Sequence, residues 1–208
     1  MADPQKAFDA FQRAADAGNP TGKIRLGEAY IKGVGVETDV SKGLSLIEEV
    51  AATGNGGALQ ALGDVYSRGG PVPIDGEKAL SYYQRALDAG NTGVLTRIGE
   101  LYRDGTVIAA DPQKAFDAFQ RAADAGNAWG KVSLGNAYIK GMGVAADVSK
   151  GLSLIEEVAA RSSWLIRRRP LTHSSVRPMP VIQPERFAWV KPISQAKAYL
   201  RMPTMASL

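Results

Sequence analysis

The sequence predicts an all-α solenoid, and three observations predict it. Asp3, Asp39, Asp75, Asp111 and Asp147 stand 36 residues apart, and each opens an Asp-x-x-Lys phrase followed by a small residue. A longer echo overlies this beat, because residues 3–52 match residues 111–160 at 42 of 50 positions. Between fixed glycines, apolar residues recur at spacings of three and four, the period of a helix with one buried face. Units of this length are single supersecondary blocks that bury their apolar faces only against their neighbours. The chain therefore offers a long surface rather than one enclosed catalytic pocket.

The elements follow in order. Asp3 is the N-cap of a helix over 3–17, its carboxylate accepting free amide hydrogens of the first turn, and Pro4 takes the first helical position, where a missing N–H costs nothing. Ala7, Ala10, Phe11, Ala14 and Ala15 form its apolar face, Gly18 supplies a left-handed stop, and Asn19 caps the next helix. That helix carries Leu26-Gly27 and Tyr30, and the chain leaves it through Gly33-Val34-Gly35-Val36, a glycine loop with a buried valine. Asp39 caps a helix through Ala52 with Leu44, Ile47, Val50 and Ala51 inward, and Gly54-Asn55 turns the chain again. Leu62-Gly63, Tyr66 and Gly69 mark the fourth helix, Asp75 caps the fifth, and Gly90-Asn91 leads to the sixth with Ile98-Gly99, Tyr102 and Gly105. Asp111 with Pro112 repeats the first helix, and after Gly126-Asn127 come Leu134-Gly135, Tyr138 and the loop Gly141-Met142-Gly143-Val144. Asp147 opens the last helix, over 147–160. Helices entered from Asn are here first-type, and those entered from Asp second-type. A glycine in mid-helix costs about 1 kcal/mol relative to alanine, so its fourfold place beside Leu or Ile and Tyr marks a close helix crossing, with its neighbours in the core.

The order Leu-Gly-x-x-Tyr-x-x-Gly-x-Gly-Val, Asp-x-x-Lys-Ala, Ala-Ala-x-x-Gly resembles the Sel1-like repeat, a relative of the tetratricopeptide repeat, and the resemblance covers residues 3–160. It implies a right-handed α/α solenoid used as an adaptor in signalling, secretion and, in bacteria, cell-surface polysaccharide assembly. Two departures stand out. Gly69-Gly70-Pro71-Val72-Pro73 and Gly105-Thr106-Val107 lack the full Gly-x-Gly-Val, and Gly43 and Gly151 replace the usual alanine, so those units are expected to be looser.

Both ends break the pattern. The helix over 3–17 is second-type with no first-type helix before it, so its outer apolar face is expected to lack a cover and to support self-association. Repeat similarity stops after Ala160, which divides the chain into a repeat domain, 1–160, and a basic, Pro-rich tail, 161–208. The tail holds nine of the 25 Lys and Arg, one acid (Glu185) and six of the eleven prolines, a charge of +8 that leaves −4 on the repeats. A mildly acidic solenoid argues against a nucleic-acid groove. Three readings stay open for the tail: an out-of-frame or recombined stretch, a helix extension through Trp164 and Leu165 that caps the solenoid, or a basic site at Arg167-Arg168-Arg169. Prolines make most of 170–192 extended or disordered, with a short helix over 194–201.

Catalysis finds little support. His173 is the sole histidine and has no nearby acid to orient it, and the absence of cysteine removes thiol and cysteine-zinc chemistry. Glu48-Glu49 and Glu156-Glu157 diverge by about 100° on their helices and read as a solvated face. Gly33-x-Gly35 follows a helix rather than a strand and lacks the lysine and serine of a phosphate loop. Tyr30, Tyr66, Tyr102 and Tyr138 read as core rather than a sugar-stacking ladder. No catalytic, cofactor or metal residue is assigned.

Function in a solenoid is expected where repeats disagree, at the non-core positions of first-type helices that face the concave groove. These positions read Lys23, Leu59, Leu95, Lys131, then Arg25, Ala61, Arg97, Ser133, then Glu28, Asp64, Glu100, Asn136. Trp129 stands where Thr21, Gly57 and Gly93 stand elsewhere. Lys23, Arg25, Glu28, Asp64, Arg97, Glu100, Trp129, Lys131 and Asn136 are the candidate contacts for an extended peptide or a partner helix. The expectation is a non-enzymatic protein-binding scaffold, with a cell-envelope scaffold of a polysaccharide-export or secretion complex as the alternative. No run approaches the ~18 apolar residues of a membrane span, and no signal opens the chain as written, which places it in the cytoplasm unless a signal lies upstream.

Overall fold

The capping chemistry sets where each helix begins and ends. The structure, a computed structural model, describes the backbone of residues 3–167 and the side chains of residues 3–161. In chain order the helices are α1 (Pro4–Asp16), α2 (Pro20–Lys32), α3 (Val40–Ala52), α4 (Gly56–Arg68), α5 (Gly76–Asp88), α6 (Leu95–Asp104), α7 (Pro112–Asp124), α8 (Ala128–Lys140) and α9 (Val148–Arg167). Among the described residues there is no strand. Asp39, Asp75, Asp111 and Asp147 each accept the backbone N–H three residues on, at 2.9–3.0 Å. Gly18, Gly54, Gly90 and Gly126 stop the second-type helices with φ between 76° and 85°, a region that a side chain disfavours.

The sixth helix departs from the pattern. Its first turn is a 3₁₀ turn, Thr92–Val94, and α6 proper starts at Leu95. Asn91 explains the difference: besides accepting from the Gly93 N–H, its side-chain amide donates to the Gly56 carbonyl at 3.1 Å and to Gln60 Oε1 at 2.9 Å. The cap is thereby tied to α4 while the first turn tightens.

Each loop is closed by one repeated device. The backbone N–H of Asp39, Asp75, Asp111 and Asp147 donates to the carbonyl of Tyr30, Tyr66, Tyr102 and Tyr138 respectively, at 2.8–2.9 Å. The lysine three residues after each aspartate then lies over the same tyrosine ring, Lys42 at 4.2 Å, Lys78 at 4.9 Å, Lys114 at 5.2 Å and Lys150 at 4.2 Å from the centroid. Such a contact contributes about 0.5–1 kcal/mol at a partly exposed site. Tyr30, Tyr66 and Tyr138 are buried and Tyr102 is half-buried, so these rings serve the core.

Packing depends on an exchange of volume between facing helices. A Cβ on Gly27 would lie 2.6 Å from the Gly43 carbonyl oxygen, and one on Gly43 would lie 2.6 Å from both the Gly27 oxygen and Ile31 Cγ1. The same fit recurs where Gly135 meets Gly151, with Ile139 beside it. At the other two junctions alanine stands opposite a shorter or outward residue (Ala79 with Ser67, Ala115 with Arg103), and Gly63 and Gly99 seat the rings of Tyr83 and Phe119. Gly43 and Gly151 therefore mark close backbone approaches, which corrects the expectation of looser units. The loop departure has a parallel cause. A Cβ on Gly35 would meet the Pro4 carbonyl and one on Gly143 the Pro112 carbonyl, whereas after α6 the loop residue is Val107 and the glycine has moved to the helix start, Gly76. The glycine is displaced, not missing. Of the loop valines, Val72 is buried, but Val36 and Val144 are only half-buried, short of the burial expected for them.

Successive helices pack in series, and first-type helices also touch across repeats, α2 on α4 and α6 on α8, which sets them in one row. At the ends, identical sequences meet different surroundings. Phe119, Ala118 and Ala122 of α7 are buried, while their counterparts Phe11 and Ala14 of α1 are half-buried and Ala10 is exposed. Ile47 and Val50 of α3 are likewise buried, and Ile155 and Val158 of α9 are half-buried. α9 continues past Ala160, where repeat similarity stops, to Arg167. The readings of 168–208, with His173, the proline-rich stretch and the helix over 194–201, lie outside the described residues. Among the described residues no helix is long and apolar enough to cross a membrane.

Candidate functional site

The row of first-type helices carries several openings, of which two are the most spacious. One, of about 390 Å³, lies between α2 and α4 and is lined by Arg25, Glu28, Lys32, Gln60, Asp64 and Arg68 among others. The second, of about 370 Å³, lies between α6 and α8 and is lined by Gln60, Gly93, Thr96, Arg97, Glu100, Asn127, Trp129 and Ser133. A larger opening, about 480 Å³, sits on the other face between α5, α6 and α7, floored by Leu95, Ile98 and Ala118. It contains none of the predicted contact residues.

Arg25, Glu28 and Asp64 line the first opening and Arg97, Glu100 and Trp129 the second, so the structure brings these six candidates onto one face. Asn136 is exposed on α8 in the register of Glu28, Asp64 and Glu100. Lys23 and Lys131 are turned elsewhere. Lys23 Nζ donates to Glu49 at 2.6 Å and Lys131 Nζ to Glu157 at 2.8 Å, each reaching across to the following second-type helix. Their counterparts Leu59 and Leu95 are buried, so this register faces the helix behind and not the groove. A lysine can occupy it because its stem covers apolar surface while its ammonium finds a surface carboxylate. The hydrogen bond from Lys131 and its charge hold the Glu157 carboxyl below its ordinary value.

The groove arginines are already paired. Arg25 donates to Glu28 at 2.9 Å, Arg68 lies 3.3 Å from Asp64, and Arg97 donates to Glu100 at 3.1 Å while its Nε stands 3.5 Å from Asp64. Tyr83, from α5, donates its hydroxyl to Asp64 at 2.7 Å, so α4, α5 and α6 are tied together beneath the groove. Burial pushes the Tyr83 phenol well above its ordinary range, and the Asp64 charge adds to this. Burial acts to lower the Arg97 pKa, but the Glu100 hydrogen bond and the charges of Asp64 and Glu100 together raise it. Sequence reasoning missed Tyr83 and Thr96. Thr96 is the buried polar residue whose Oγ1 has no hydrogen-bond partner, at 8% exposure.

One sequence signal for this face does exist. Of the eight differences between residues 3–52 and 111–160, five fall in the first-type helix: Pro20, Thr21, Ile24, Arg25 and Glu28 become Ala128, Trp129, Val132, Ser133 and Asn136. None falls in a second-type helix. Among the described residues no three His, Cys, Asp or Glu side chains gather as they would around a metal ion.

The pattern of one family, the Sel1 repeat, matches residues 1–19, 21–52, 57–91, 95–127 and 132–162. The fold is similar to a Sel1 repeat protein from Oxalobacter formigenes, with 31% sequence identity and a TM-score of 0.63 over 77% of this chain and 65% of that one. It is also similar to c5321, described as a protective antigen present in uropathogenic Escherichia coli strains displaying an SLR fold, with 26% identity and a TM-score of 0.62 over 76% of this chain. The chain spans 65% of the first of these and 34% of the second. No curated protein matches the sequence.

Proposed function

The chain belongs to the Sel1 repeat family, and from that premise we propose that it is a non-catalytic scaffold whose first-type helices bind a protein partner. The observation that carries this reading is the placement of repeat-to-repeat differences. Between the two matching blocks the second-type helices are unchanged, while Arg25, Glu28 and Thr21 give way to Ser133, Asn136 and Trp129 on the groove side. A scaffold that keeps its packing and varies one face is built to present that face. Arg25, Glu28, Asp64, Arg97, Glu100, Trp129 and Asn136 are the proposed contacts, and Lys23 and Lys131 hold neighbouring helices together. Photo-crosslinkers at Ser133 and, as a control, at exposed Gln113 on α7 test it. Partner adducts are expected from Ser133 alone and should fall in an Arg97→Ala/Trp129→Ala double variant; equal adducts from both positions would refute the groove.

A second copy of the chain is a further proposed partner, through the α1 face on which Phe11 and Ala14 are only half-buried and Ala10 is exposed. Light scattering at increasing concentration should show a rising mass that Phe11→Ser abolishes. An envelope scaffold of an export or secretion complex is the alternative cellular role, and the likeness to a protein described as a protective antigen bears on its envelope location alone. Fractionation of cells expressing the full reading frame, with the protein found only in the cytosolic fraction, would rule that role out.

A further inference from the structure

We propose that the opening between α6 and α8 takes a proline-containing, extended peptide segment, with a proline ring on Trp129 and a peptide carbonyl on the Thr96 hydroxyl. This deepens the groove reading and rests on it. Trp129 is the most exposed large apolar side chain among the described residues, at 74%. It offers the single flat apolar wall of an opening otherwise lined by hydroxyls, side-chain amides and an ion pair.

The lining chooses the ligand by elimination. An aliphatic anchor would press most of its surface against Gln60, Asn127, Ser133 and the Arg97–Glu100 pair, and would desolvate them without replacing their hydrogen bonds. An anionic anchor meets an arginine already paired with Glu100 and Asp64, and a cationic anchor meets carboxylates that Arg97 and Arg68 already hold. What fits is a neutral group with one flat apolar face and free acceptors, and a polyproline II segment has both, because its ring stacks on indole and its carbonyls have no internal partner. The internal comparison points the same way. Where α2 presents Thr21, Arg25 and Glu28, the matching helix α8 presents Trp129, Ser133 and Asn136, so charges are removed in the same helix that gains the aromatic.

Thr96 supplies the second, independent observation. It is 92% buried, it lines this opening, and its hydroxyl has no partner. Its Oγ1 is sealed from solvent in this conformation, so reaching a ligand carbonyl takes a turn about χ1, and a helical threonine has two χ1 wells. Gly93 keeps the approach open, since a Cβ there would meet only the Asn91 side chain, at 3.1 Å.

The test uses the full chain with Trp164→Phe and Trp189→Phe, so that Trp129 is the sole indole, and reads its emission against blocked hexaproline, blocked hexa-alanine and cellohexaose. A saturable change with hexaproline is expected at or below about 10 mM, with the affinity reduced at least ~10-fold by Thr96→Val while the fold is retained. No saturable change with hexaproline, an equal response in Thr96→Val, or a response to cellohexaose alone would each overturn the proposal. A native partner cross-linked through Ser133 by a segment without proline would overturn this inference and leave the groove reading standing.

Discussion

Gly43 and Ile31 show how a single methyl group is placed in this fold. Gly43→Ala would gain about 1 kcal/mol of helix propensity but drive a Cβ to 2.6 Å from a backbone oxygen and from Ile31 Cγ1. The clash wins because backbone cannot swing away, so a net loss of about 1–2 kcal/mol is expected by urea unfolding. Trimming Ile31 to Ala alongside it should recover part of that loss, a coupling of at least ~0.5 kcal/mol in a double-mutant cycle. Tyr83 makes a second prediction at this level. Its folded pKa is raised, first by burial and then by Asp64, so the unfolded state gives up its phenolic proton first. Stability is then flat below the unfolded value of about 10 and falls as pH rises above it. Urea midpoints between about pH 8 and about pH 11 should show the fall, and Tyr83→Phe should flatten it in part, since Tyr66 and Tyr82 are also raised by burial and by Glu48.

Helices α1 and α7 share the sequence PQKAFDAFQRAAD and differ only in what covers them. Their intrinsic exchange rates are therefore the same, and hydrogen exchange compares environments directly. Amides of α1 should exchange at least ~10-fold faster than the corresponding amides of α7, because Phe11 and Ala10 lack the burial that α6 gives Phe119 and Ala118. Equal protection would mean that another surface covers α1 in solution. At this level most of the fold was legible in the chain: aspartate and asparagine caps and glycine stops are local signals, and nearly every helix begins where they stand. The start of α6 was not, because Asn91 is diverted by Gly56 and Gln60, 31–35 residues away. Pairing of Lys42 with Tyr30 escaped for the same reason, since the lysine of one unit serves the tyrosine of the unit before. The groove was partly legible. Variability alone marked Lys23 and Lys131 as well as Arg25 and Arg97, and the buried Leu59 and Leu95 in the lysine register show why variability does not by itself tell groove from helix contact.

Across the whole solenoid, each unit fits its neighbour through the residues at one junction. Removing residues 39–74 would leave the period intact and set Ile31 against Ala79. That variant should unfold at lower urea, and Ala79→Gly with Tyr83→Ile should raise its midpoint again. In the undeleted chain the same two substitutions should lower the midpoint and cost about 2–5 kcal/mol of stability, because the cavity left by the Tyr83 ring stays unfilled. Opposite signs in the two backgrounds would establish the junction as the unit of fit. The Ile31 and Gly43 pairing thus bears on how such a chain can grow. Copying residues 3–38 alone would set Ile31 against Ala7, a steric fault, whereas the copy three units on pairs Ile139 with Gly151 as Ile31 is paired with Gly43. The 108-residue echo is then a unit of inheritance, its length set by which side chains must meet again after a duplication.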